Sequence, residues 1–114
     1  MATVKAAAVQ FSPVLYNGEA TVEKLCATIA ALGGQGVELA VFPETVVPYY
    51  PYFSFVQPPV AMGRQHLTLM QESVAVPSAA TAAIGAAARA AGMVVSVGVN
   101  ERAGGTLYNA QLLF

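Results

Sequence analysis

An α/β fold is the expectation for this chain, and three observations support it. Two short apolar runs, residues 4–11 and 39–42, each stop at or just before a proline. The segment between them carries apolar residues at helical spacing, and a second helix and strand follow further along. Strand, helix, strand in that order predicts a right-handed βαβ unit with parallel strands.

The first run, Val4 to Phe11, is closed by Ser12 and Pro13 and is expected to be a buried strand of a covered sheet. Asn17 and Gly18 then offer a turn and a helix cap. Glu19 and Glu23 suit the positive start of a helix, and Val22, Leu25, Ile29 and Leu32 share one face of it until Gly33 and Gly34 end it. The second run, Leu39 to Phe42, stops at Pro43, which has no N–H for a sheet ladder. From Pro43 to Pro59 the prolines at 48, 51, 58 and 59 exclude a regular helix or central strand, so a long, stiffened loop rich in aromatic rings is expected. Loops of that length inside a compact domain are usually functional. A short helix is expected around Gly63 to Val74. Ser78 caps another, in which Ala80, Ile84, Ala87 and Ala91 share a face and which Gly92 closes. Met93 to Asn100 reads as a strand, and the turn Arg102-Ala103-Gly104-Gly105 joins it as a β-hairpin to residues 106–114.

Hydrophobic residues make up 56% of the chain and charged ones only 10%, which excludes disorder. Five Lys and Arg scattered from Lys5 to Arg102, at a net charge of −1, form no basic patch, so no nucleic-acid partner is expected. The apolar run at the start is too short for a signal-peptide core, and nothing reaches the roughly 18 apolar residues of a spanning helix. A cytoplasmic protein without membrane contact is therefore expected. Its single cysteine, Cys26, cannot form an internal disulfide, and one Cys with one His leaves no metal cluster. With no Asp in the chain, carboxylate chemistry must come from six glutamates.

Glu44 follows the second strand directly, at the carboxyl edge where open α/β sheets place their ligand sites. Flanked by Phe42, Pro43 and a run of aromatics, its carboxylate is expected to be partly desolvated, which would suit a general base. Local physics leaves a second reading open, a solvated loop glutamate capping a neighbouring amide. Cys26 falls within the apolar stripe of the first helix and reads as a small inert hydrophobe. His66 stands alone and reads as a surface or half-buried helix histidine. The rings of Tyr49, Tyr50, Tyr52, Phe53 and Phe55 read either as packing against the sheet or as the wall of an apolar pocket beside Glu44. Arg102, Tyr108 and Asn109 read as hairpin residues, with Asn109 a candidate to satisfy backbone near the site. Gly33-Gly34-Gln35-Gly36 is a helix stop and lacks the spacing of a phosphate-binding loop.

Five blocks in series carry a resemblance: Val-Lys-Ala-Ala-Ala-Val-Gln, the first helix, Leu-Ala-Val-Phe-Pro-Glu-Thr, Pro-Tyr-Tyr-Pro-Tyr-Phe-Ser-Phe, and Glu-Arg-Ala-Gly-Gly-Thr-Leu-Tyr-Asn. Together they resemble the amino-terminal part of nitrilases, in the carbon–nitrogen hydrolase superfamily. The resemblance implies an α/β fold that is part of a four-layer αββα sandwich of the nitrilase type. It also implies a catalytic glutamate, lysine and cysteine, of which only the glutamate falls here, at Glu44. In the implied chemistry Glu44 takes the thiol proton, the thiolate attacks a nitrile carbon to give a thioimidate, and water releases ammonia and then acid. No cofactor or metal is implied. Tyr50, in the Tyr-Pro pair matching the segment after the family's glutamate, is the candidate substrate-binding ring. Family members associate through matching surfaces, so homo-oligomers are expected.

The rival within the superfamily is an amidase or carbamoylase, and the Pro-Tyr-Tyr-Pro-Tyr-Phe segment looks more like the nitrilase branch. In the last strand Tyr108, Ala110, Leu112 and Phe114 alternate with Leu107, Asn109, Gln111 and Leu113, without a closing turn signal. The expectation is therefore that residues 1–114 are the amino-terminal portion of a single truncated domain, with the lysine and cysteine beyond Phe114. A sheet face including Val95, Val97 and Leu112 would then be left uncovered. A complete chain would instead be a non-catalytic α/β binding or assembly module.

Overall fold

The computed structural model describes residues 1–114. A four-stranded sheet runs in the order β1 (Ala6–Ala8), β2 (Leu39–Val41), β3 (Val94–Ala103), β4 (Thr106–Leu113). The first two pairings are parallel and the last is antiparallel. Helix α1 (Gly18–Gly34) connects β1 to β2, and α2 (Gly63–Glu72) and α3 (Ala79–Ala91) lie between β2 and β3. The expected α/β class and the β1–α1–β2 unit are both present.

The ends of α1 follow from local chemistry. Asn17, in extended backbone, accepts a hydrogen bond from Ala20 N at 2.9 Å, and the Glu72 carboxylate accepts one from Gly18 N at 2.6 Å, so two of the helix's free amides are satisfied. Val22, Leu25 and Ile29 turn inward as their spacing predicts. On α3, Ser78 and Thr81 form a reciprocal capping box, and Gly92 at φ +60° closes the helix. The two helices pack closely because their facing residues are small: a Cβ on Gly33 would stand 2.9 Å from Ala91 Cβ.

Both helices cover one face of the sheet. Val95, Val97 and Val99 are 0% exposed and join Ala40, Leu25, Ile29, Ile84 and Ala88 in one core. The expectation that Val95 and Val97 lie uncovered is thus overturned, because the period of two along β3 aims them at α1 and α3. Their alternates form the open face, where Val41, Val94 and Leu113 are 44%, 53% and 74% exposed. One α layer on one β layer agrees with part of an αββα sandwich.

Strand β1 also differs from expectation. It spans Ala6–Ala8 at the sheet edge and contains no fully buried residue, where a buried run from Val4 to Phe11 was expected. An edge position and an open face leave only Ala7, Val9 and Phe11 packed against the core.

The long loop divides in two. Val46, Val47, Pro48 and Tyr49 are buried, whereas Tyr52, Phe55 and Val56 are exposed, with short 3-10 turns at Tyr52–Phe55 and Pro59–Met62. Val47 and then Val74 bridge to β3 beyond the end of β2, so the parallel edge of β3 is occupied in turn by β2, Val47 and Val74.

Candidate active site

Glu44 is positioned by an excursion of the backbone. After Phe42 N donates to Ser96 O at 2.8 Å, the chain lifts off the edge of β3 and returns at Val47, whose N–H donates to Gly98 O at 3.3 Å. Between these points residues 43–46 cross the open face. A Cβ on Gly98 would meet Pro43 O at 2.2 Å and Glu44 Cα at 2.4 Å, so only glycine admits the crossing. Thr45 takes φ +46°, a left-handed conformation that costs a β-branched residue about 1–3 kcal/mol. It is 3% exposed, and its hydroxyl finds no partner.

The excursion leaves the Glu44 side chain exposed on the uncovered face, at the carboxyl end of β2. The expected desolvation by the neighbouring aromatics is not found, because Phe42 and Tyr49 turn into the core and the later rings lie further along the loop. The partner of Glu44 is Asn109, whose Nδ2 donates to Oε2 at 2.7 Å. Two residues along β4, on the same face, Gln111 Nε2 donates to Ser96 Oγ at 2.7 Å and to Phe42 O at 3.4 Å. Asn100, opposite Asn109 in the hairpin, is buried and donates to Tyr49 O at 3.0 Å. Three amide side chains of β3 and β4 therefore tie down the root, tip and continuation of the excursion.

Tyr50 is half-buried, and its ring lies 4.7 Å from that of Tyr52 and stacks at 6.1 Å on that of Phe55. No hydrogen bond joins it to Glu44. Tyr49, 2% exposed, packs edge-on against Tyr16 at 5.2 Å. Burial, with Tyr16 and Glu72 nearby, pushes its phenol up to about 12.

The other candidate groups lie elsewhere. Cys26 is half-buried on α1 among the core residues, and burial raises its thiol pKa, which agrees with an inert thiol. Lys5 donates to Gln35 O, and Lys24 donates to Ser12 O while standing 5.1 Å over the Phe11 ring, so both are engaged away from Glu44. His66 is half-buried on α2, against Phe53 at 4.9 Å. No three His, Cys, Asp or Glu side chains are grouped to hold a metal, and no helix is long and apolar enough to cross a membrane. A cavity of about 510 Å³ opens near the amino ends of α1 and α3, lined by Gly18, Glu72, Ser78 and Arg102 among others, and does not include Glu44 or Tyr50.

Sequence reasoning missed the Asn109 contact to the carboxylate and the crossing over Gly98. A signal for the second was present, since an isolated glycine inside a strand marks close backbone approach.

A family model described as carbon–nitrogen hydrolase matches residues 5–114. Nitrilase 3 from an unknown prokaryotic organism is 66% identical over 100% of this chain and 35% of its own length. A nitrilase from Paraburkholderia phymatum is 51% identical over 97% of this chain and 33% of its own. An aliphatic nitrilase from Rhodococcus rhodochrous is 38% identical over 97% and 31% respectively. The chain thus spans about a third of the length of the curated relatives it matches.

Proposed function

The chain belongs to the carbon–nitrogen hydrolase family, and we propose that it is the amino-terminal portion of a single nitrilase domain that converts a nitrile to a carboxylic acid and ammonia. The observation that best supports this reading is the Glu44 carboxylate, exposed on the open sheet face and held through one oxygen by Asn109. In that reading Glu44 is the general base, first for the thiol of a cysteine and then for water. The nucleophile and the lysine that stabilises the developing negative nitrogen belong to other parts of the full-length protein. Cys26, Lys5 and Lys24 are all engaged elsewhere. The names of the relatives favour a nitrile over an amide as substrate.

Tyr50, with Tyr52 and Phe55, supplies an apolar wall for the substrate in this proposal. Homo-oligomeric assembly and a cytoplasmic location are part of it as well, the latter fitting a lone cysteine.

The test is ammonia release from a panel of aliphatic and aromatic nitriles and their amides. The 114-residue chain alone should release none. In the full-length protein Glu44→Gln keeps size and hydrogen bonding but removes the base, so turnover should fall by roughly 10² to 10⁴. Undiminished turnover in a folded Glu44→Gln protein sinks the assignment, and faster amide than nitrile hydrolysis moves it to the amidase branch.

A further inference from the structure

The two oxygens of Glu44 are not equivalent. Oε2 accepts the hydrogen bond from Asn109 Nδ2 at 2.7 Å, while Oε1, on a side chain exposed to solvent, has no hydrogen-bond partner in the chain. An exposed glutamate on a loop ordinarily samples several rotamers, which would spread its base atom over several positions. Here the donor comes from a rigid place. Asn109 is registered opposite Asn100 in the β3–β4 ladder, and Asn100 is itself anchored to Tyr49 O. Because the excursion puts Glu44 Cα over Gly98 of β3, the alternate side chains of β4 are only one strand spacing away, about 4.8 Å. Gln111 uses the same reach to hold the root of the excursion at Phe42 O. A lysine or arginine at position 109 would pair with the carboxylate and compete for the proton's place. A neutral amide orients the carboxylate without cancelling its charge.

We propose that Asn109 is a positioning residue for Glu44: its amide fixes Oε2 so that Oε1 is the oxygen presented to the proton being removed. This rests on the reading of Glu44 as the base. A fixed base atom should act on kcat, because misorientation matters when the proton moves, while KM reports groups that hold the substrate.

The experiment is a double-mutant cycle in the full-length protein. Asn109→Leu removes the donor at similar size, and Asn109→His returns a ring N–H at similar reach. Asn109→Leu should lower kcat by about 10- to 100-fold, the usual worth of a hydrogen bond to a charged group, with KM within about twofold of wild type. Asn109→His should recover most of that loss, and Asn109→Leu added to Glu44→Gln should cost nothing further, since the group it positions is gone. Equal losses in the Leu and His variants, or an undiminished Asn109→Leu penalty in the Glu44→Gln background, would overturn the proposal while leaving Glu44 as base. Full turnover in folded Glu44→Gln would remove the base reading itself.

Discussion

Replacing Gly98 by alanine tests the geometry that carries Glu44. The added methyl would stand 2.2 Å from Pro43 O, 2.4 Å from Glu44 Cα and 2.6 Å from Glu44 C. Non-bonded carbons settle at about 3.5–4.0 Å, so the Pro43–Glu44 backbone must retreat by roughly 1 Å. The retreat is opposed on both sides, by the bond from Gly98 N to Pro43 O at 3.2 Å and by that from Val47 N to Gly98 O at 3.3 Å. Overpacking of this kind costs about 1–3 kcal/mol. On the proposed role of Glu44 as the base, the effect on turnover should be larger, because a misplacement of about 1 Å at a catalytic group costs on the order of 100-fold. In the full-length protein Gly98→Ala should therefore still fold, melt a few degrees lower, and release ammonia about 100 times more slowly at saturating nitrile. Gly104→Ala is the control. Unlike Gly98 it carries a positive φ, +59°, but its Cβ would meet nothing within 4 Å, so alanine there should lose some stability and little turnover. Wild-type melting and wild-type turnover in Gly98→Ala would refute the crossing of Glu44 over β3.

Tyr49 should govern part of the alkaline limb of stability. Its phenol is pushed up from the ordinary 10.0 to about 12 by burial and by Tyr16 and Glu72, so between about pH 10 and 12 the unfolded chain sheds this proton while the folded chain keeps it. Its contribution is complete below pH 10 and declines toward pH 12; melting scans from pH 9 to 12 should show that decline reduced in Tyr49→Phe. Because the Tyr49 hydroxyl is buried without a partner, Tyr49→Phe should cost nothing at pH 7, and a loss above about 1 kcal/mol would count against that burial. A Cβ on Gly85, inside α3, would stand at ordinary contact 3.6 Å from Phe114 Cδ1, so Gly85→Ala should gain about 0.4–1 kcal/mol, read from urea midpoints. Cys26, its thiol pKa raised by burial, should react with iodoacetamide far more slowly in the native protein than in urea at pH 8, and Cys26→Ala should leave ammonia release unchanged.

Much of this protein was legible along the chain because it depends on near neighbours. Asn17, Ser78 and Gly92 act within one helical turn, so their capping roles can be read without knowing the rest of the fold. The stop at Pro43 follows in the same way from a missing N–H. The placement of Glu44 at the end of β2 needed only that stop and the preceding apolar run. The five blocks that resemble nitrilases led to the family for the same reason, since each is a local string.

What the tertiary structure alone decided depends on residues far apart in sequence. Whether Val95 faces helices or an open side depends on which face α1 and α3 choose, and alternation supplies the period but not the sign. Whether β1 is central or at the edge depends on strand order, which apolar content does not encode. The Tyr49 and Tyr50 rings are adjacent in sequence, yet the first is buried in the domain and the second is half-exposed in an aromatic stack, because the chain leaves the core between them. Asn109 meets Glu44 across 65 residues, through a register set by a hairpin and a crossing that a bare Gly98 permits. Composition and spacing along the chain therefore determined an α/β protein with a glutamate at a strand end. Only the packing of β2, β3 and β4 decided that this carboxylate stands on the open face with one oxygen held and the other free.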